Sequence, residues 1–180
     1  MKNTVAMVAG VLALGAPACG NEDVSRSAAS APTTTAAAQP RSFADTRAAI
    51  LAAAETGDYA ALRPLIDEDG FLSDFGFGEE RDPVARWEEM GSQPLETMGV
   101  VLHMKYVVRE TNEGTLYEWP AYDPDSDPGD LTRRDRELFA TVMSKADVEG
   151  LITDEYGYTG PRLGILKDGT WWFFLLEPGP

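Results

Sequence analysis

Arg162-Leu163-Gly164-Ile165-Leu166-Lys167-Asp168-Gly169-Thr170-Trp171-Trp172-Phe173-Phe174-Leu175-Leu176 reads as two strands folded about a turn. Asp168-Gly169 suits a type I′ hairpin turn, because both positions tolerate positive φ, and the flanks are rich in apolar and β-prone side chains. Alternate residues of a strand point to opposite faces, yet Trp171–Leu176 is apolar on both. Such a strand is expected in the middle of a sheet, with helices over one face and sheet or loops over the other. The competing reading is an aromatic-lined cavity for a lipid, peptide or glycan, to which Tyr117, Trp119, Tyr156 and Tyr158 would contribute.

Upstream of the hairpin, Thr115 to Trp119 is short, β-prone and halted by Pro120, which predicts an edge strand or a strand end. Asp130 is expected to cap a helix whose apolar side includes Leu131, Leu138, Phe139 and Val142. The first half is helical in pattern. Ser42 with Asp45 resembles a capping box, Phe43, Ile50, Leu51 and Ala54 make one stripe, and Gly57 closes it. Asp58 caps a second segment that Pro64 shortens, with Leu62, Leu65 and Ile66 inward. Asp82-Pro83 starts a third helix carrying Val84 and Trp87, with Gly91 as its stop, and Leu95, Met98, Val101 and Leu102 keep the helical period in a fourth that begins near Pro94. A strand follows around Tyr106 to Arg109. The pattern predicts an α+β domain: helices in the first half packed on a small antiparallel sheet that ends in a C-terminal hairpin.

The chain starts differently. Lys2 precedes an uninterrupted apolar or glycine run from Val5 to Ala16, long enough for an export signal and shorter than the ~20 residues of a membrane span. Residues 1–18 read as a signal peptide. Leu14-Gly15-Ala16-Pro17-Ala18-Cys19 resembles the lipobox of bacterial lipoproteins, in which the cysteine is lipidated and becomes the first mature residue. Ala16 stands where that family prefers a bulky aliphatic, and Pro17 departs from it too. The alternative is cleavage at Ala-x-Ala, leaving Cys19 as a free N-terminal thiol. Residues 19–41 hold that cysteine and a linker rich in Ala, Ser, Thr and Pro, which cannot bury enough apolar surface to order itself. Residues 42–180 remain as a single globular domain.

Cys19 is the only cysteine of the 180 residues, so the domain has no disulfide and no thiolate metal site. Loss of the leader removes Lys2 and no acid, leaving 14 basic against 30 acidic groups and a net charge of −16. Nucleic acid is therefore not an expected partner. Arg133, Arg134 and Arg136 are interleaved with acids and read as an ion-paired helix face. His103 is the only histidine and reads as a satisfied, partly buried residue rather than a general base. Recognisable nucleophile, phosphate-loop and dinucleotide motifs are missing, so no catalytic residue, cofactor or metal is assigned. Asp123, Asp125 and Asp127 have a spacing that could turn oxygens toward calcium, but Pro128 replaces the glycine and Arg134 the glutamate of an EF-hand loop, so a solvated acidic turn is preferred.

Two further resemblances concern the domain. Thr56-Gly57-Asp58-Tyr59-Ala60-Ala61-Leu62 after an N-terminal helix, with the closing Lys167-Asp168-Gly169-Thr170-Trp171-Trp172, resembles cone-shaped domains of the nuclear-transport-factor type. That likeness implies a curved sheet that holds small ligands, and it transfers no functional residue. Tyr117-Glu118-Trp119-Pro120 together with Gly157-Tyr158-Thr159-Gly160-Pro161-Arg162 is similar to uncharacterised exported bacterial domains, which implies location alone. The expectation is an exported, membrane-anchored lipoprotein, outside the cytoplasm or at the cell surface, that acts as a non-enzymatic envelope-associated binding module. Its partners would be the membrane, through lipid on Cys19, and an envelope protein, peptide or glycan. A carboxylate-dependent hydrolase of envelope material, a calcium-stabilised structural protein, and a secreted or periplasmic soluble form are the alternatives.

Overall fold

Ser42 starts the first helix as its spacing predicts: its Oγ accepts from the Asp45 backbone N–H, and α1 runs Phe43–Thr56. Gly57 ends it in the left-handed conformation, φ +71°. The computed structural model describes residues 42–67, 70–73, 82–122, 125–127, 129–153 and 155–176. The segment capped by Asp58, Tyr59–Leu65, forms a 3-10 helix rather than an α-helix, in keeping with Pro64, which has no N–H to give to an α-helical ladder. β1 is the short Leu72–Ser73. Asp82 caps α2, Pro83–Glu89, by accepting from Val84 and Ala85, and its carboxylate also pairs with Arg63 of the 3-10 segment. α3, Gln93–Leu102, buries Leu95, Met98, Val101 and Leu102, the stripe its periodicity predicts.

The other strands of the main sheet are β2 (Val107–Thr111), β3 (Gly114–Trp119), β6 (Arg162–Leu166) and β7 (Trp171–Leu175), which join β1 in the order β1-β7-β6-β3-β2. All neighbours are antiparallel except β1 and β7. Thr115–Trp119 thus lies inside the sheet, with β2 at the edge, so of the two positions expected from Pro120 it is the strand end that forms, at Trp119, and not the edge strand. The proline falls one residue beyond the last ladder pair, Trp119↔Leu163, so it removes no hydrogen bond from the strand.

The hairpin forms, but its turn is longer than the predicted type I′. Gly169 N donates to Leu166 O and Leu166 N to Thr170 O, so Lys167-Asp168-Gly169 makes a three-residue loop with Gly169 at φ +95°. Thr46 Oγ1 donates to Gly169 O at 2.6 Å, and a Cβ on Gly169 would come within 2.9 Å of the Ser42 backbone nitrogen. Glycine is therefore required twice over, for its backbone angle and for the close approach of α1. Between β6 and β7 the register steps from Gly164↔Phe173 to Ile165↔Trp171, which leaves Trp172 as the extra residue of a bulge.

That bulge sorts the aromatic run. Trp171 and Phe174 join Leu163, Ile165 and Trp119 under the helices, packed with Trp87 of α2 and Ile50 of α1. Phe173 goes to the other face with Leu116 and Leu166, edged by Leu72, Trp172 and Leu175, and no helical residue belongs to this second cluster among the described residues.

A third layer lies between β3 and β6 in sequence. α4, Arg133–Phe139, is capped by Thr132 and not by Asp130, whose carboxylate instead accepts from Asp127 N. α5, Lys145–Glu149, carries a reciprocal capping box from Ser144 and Asp147. β4 (Ile152–Thr153) pairs with β5 (Gly157–Tyr158) as a separate two-stranded ribbon. Phe139, Leu131, Val148 and Tyr158 connect this layer to the main core.

Candidate functional site

Alternation along β3 places Leu116 and Glu118 on the face away from the helices, while Tyr117 and Trp119 take the helix side. Glu118 is the only buried charged side chain among the described residues, 6% exposed. An ionised carboxylate is costly to bury unless it is paired. Arg109 of β2 supplies one partner, donating from Nε to Glu118 Oε2 at 2.7 Å. Arg162, the first residue of β6, brings its Nη1 to 3.6 Å from Oε1. The register explains both approaches. Glu118 lies opposite Val107 on one side and Gly164 on the other, and the arginines reach it diagonally from adjacent rungs.

Gly164 is essential to this floor. A Cβ there would come within 2.3 Å of the Phe173 ring, so the ring lies across the space that the glycine leaves open. The same face therefore runs from charged side chains on β2, β3 and β6 to apolar ones on β6, β7 and β1, with Arg162 directly opposite half-buried Leu175.

Arg162 uses little of its hydrogen-bonding capacity. Nη2 donates to Tyr158 O at 2.9 Å and the guanidinium stands 5.5 Å above the Tyr158 ring, whereas Nε is buried without a partner among the described residues. A guanidinium has five N–H donors, and buried donors are normally all paired. Beside it, the buried Tyr158 hydroxyl donates to Pro161 O at 2.9 Å, and burial pushes its pKa well up. Tyr122 packs 5.4 Å from Tyr158, ring to ring, and donates to Asp135 Oδ2 at 2.5 Å. Burial, reinforced by that carboxylate, raises the Tyr122 hydroxyl to about 12.

The four aromatic residues singled out in the sequence do not form one lining. Tyr117 stacks on Phe43 with centroids 3.8 Å apart, and it and the fully buried Trp119 both touch Tyr106, at 5.6 and 5.2 Å. Tyr158 sits in the separate α4 layer against Tyr122 and Phe139, and Tyr156 is 65% exposed. Cys19 lies outside the described residues, as do Asp123 and Pro128 of the acidic turn. His103 ends α3 on the surface, its Nδ1 2.6 Å from Gly99 O, so the partly buried position expected for it is not what the helix end provides. Arg133 pairs with Glu137 at 2.8 Å on an exposed helix face, as the alternating charges predict.

The Arg109–Glu118–Arg162 group and the residue that completes the aromatic cluster, Tyr106, were not singled out from the sequence. A signal for the first was present: alternation in Thr115–Trp119 and in Arg162–Leu166 puts Glu118, Arg162 and Gly164 on one face. No family model matches the chain, and no curated protein or solved structure is significantly similar to it.

Proposed function

We propose that this is an exported, lipid-anchored protein that presents its α+β domain outside the cytoplasmic membrane as a non-enzymatic, envelope-associated binding module. The observation that carries the reading is Cys19, a lone thiol placed directly behind an apolar leader and ahead of a polar, Pro-containing spacer. No helix among the described residues is long and apolar enough to cross a membrane. One acyl chain gives only marginal, reversible binding, whereas two or more hold firmly. A spacer of residues 20–41 reaches roughly 5–6 Å times the square root of its length, a few tens of ångströms from the anchor. The binding half of the reading is supported by the sheet face opposite the helices, where half-buried Leu72, Trp172 and Leu175 adjoin a charged group.

Intact-mass analysis of the membrane fraction, with wild type beside Cys19→Ala, tests the anchor. The expected wild-type species begins at Cys19 and carries the added mass of acyl chains, and the variant leaves the membrane fraction. A soluble wild-type protein beginning at an unmodified Cys19 overturns the proposal.

A further inference from the structure

We infer that Met90 is an oxidation site: an uncharged peroxide converts its thioether to the sulfoxide while the domain stays folded, so that the side chain serves as a reversible sink for oxidant. The occasion for this rests on the exported reading above, and the chemistry is independent of whether Cys19 is lipidated.

The sulfur atoms of the domain differ in access. Its methionines are Met90, Met98, Met104 and Met143, with Met1 and Met7 in the leader. Met98 of α3 is fully buried and Met104 is 7% exposed, both in the main core, and Met143 is half-buried against that core. Met90 is 43% exposed, the one sulfur among the large apolar side chains that stay uncovered within the described residues, the others being Tyr106, Val108 and Tyr156. A thioether reacts where oxidant reaches it from solvent, so exposure ranks the four.

The backbone around Met90 makes the change tolerable. Met90 ends α2, and its N–H donates to Trp87 O at 3.1 Å and Arg86 O at 3.3 Å. Gly91 follows at φ +85°, and its carbonyl accepts from the Tyr59 hydroxyl at 2.7 Å, which ties this turn to the 3-10 segment. These bonds hold the chain without using the Met90 side chain, which belongs to neither apolar cluster. A sulfoxide oxygen is hydrated at Met90, whereas at Met98 it would be buried among apolar groups at a cost.

In the step, a sulfur lone pair attacks one oxygen of hydrogen peroxide. The S–O bond forms as the O–O bond breaks, and the proton on the transferred oxygen passes to the leaving hydroxide, which departs as water. Sulfur loses two electrons and the peroxide gains them. Hydrogen peroxide is uncharged, so the net charge of −15 does not hold it off. A thiol-dependent sulfoxide reductase reverses the change, releasing the oxygen as water while two thiols become a disulfide, and the exposure that admits peroxide also admits that enzyme.

The test treats the full chain carrying Cys19→Ala, which removes the competing thiol, with hydrogen peroxide, and follows each methionine by peptide mass mapping. Met90 should gain one oxygen at least about tenfold faster than Met98 and Met104, because a buried thioether reacts only in the fraction of molecules that have opened around it. Met143 should fall between. In concentrated urea all four should react at similar rates. The singly oxidised protein should keep the urea midpoint of the untreated one, and a thiol with sulfoxide reductases of both stereospecificities should restore its mass. Met90→Leu should abolish the first oxidation event and leave the midpoint unchanged; if that variant fails to fold, the peptide map of the unsubstituted Met90 still decides. Another methionine oxidised first, or a Met90 lead that persists in urea, overturns the inference, since exposure would then not set the order. A midpoint that drops on single oxidation, or a sulfoxide the reductases cannot remove from the folded chain, overturns the reversible sink. Each of these outcomes leaves the anchor at Cys19 untouched.

Discussion

The two faces of one sheet have been solved in opposite ways. Under the helices the sheet meets Trp87, Trp119, Trp171 and Phe174, each at most 1% exposed, with Trp87 tilted against Trp171 at 5.9 Å and edge-on to Phe174 at 5.5 Å. On the other face the last residue but one of β3 is a glutamate, the opposing position of β6 is a glycine, and the aromatic ring of Phe173 lies across the space that glycine leaves. The first face is held by shape and apolar area. The second carries a buried glutamate flanked by two arginines, Arg109 at 2.7 Å and Arg162 at 3.6 Å. The large, fully buried side chains are thus concentrated on one side and the charged group on the other.

The sharpest way to break the contrast is to truncate the two adjacent tryptophans. Trp171→Ala should lose roughly 3–5 kcal/mol, because a large core side chain leaves a cavity that its neighbours cannot fill. Trp172→Ala, one residue on but on the half-buried face, should lose about 1 kcal/mol. Urea midpoints at constant slope would measure both, and equal losses would mean that the bulge does not separate them. Next in size is Glu118→Gln, expected to lose about 2 kcal/mol after allowing for the exposure of Arg109, with part of the loss recovered when Arg109→Met is added. A double variant no better than the single would show that the carboxylate stabilises through some other contact. Smallest is a pH effect in the α4 layer. Tyr122 releases its proton near 10 in the unfolded chain and near 12 in the folded one. The folded state therefore holds the proton longer, and stability is intact below pH 10 and falls as pH rises toward about 12. Tyr122→Phe should flatten part of that fall in thermal melts taken between pH 9 and 12.

Elements set by neighbours in sequence were legible. The Asp82-Pro83 start, the Gly57 stop and the Asp168-Gly169 turn each rest on backbone angles or caps that three or four residues decide. Where two local solutions compete, reading failed by a residue or two: Asp130 and Thr132 can both cap, and Thr132 wins because the Asp130 carboxylate is occupied by Asp127 N. Long-range pairing was not legible at all. The parallel contact of Leu72–Ser73 with β7 joins residues about a hundred positions apart through two ladder pairs. The bulge at Trp172 also escaped, since it depends on what Gly164 lets Phe173 do. Of the site, alternation in β3 was a signal that could have put Glu118 opposite Tyr117 and Trp119, but its two arginines come from strands whose order no local pattern encodes.

The docking of the hairpin turn onto the first helix has a mechanical meaning. Ser42 and Thr46, where the chain enters the domain, touch Gly169 directly, and Gly169 joins the two strands at the middle of the sheet. Tension applied along the residues before Ser42 would not peel α1 away from a free end. It would load the Thr46–Gly169 hydrogen bond and pass into β6 and β7, which are each flanked by strands on both sides. A domain pulled by its N-terminal side is thus held where its first helix meets the turn of the central hairpin.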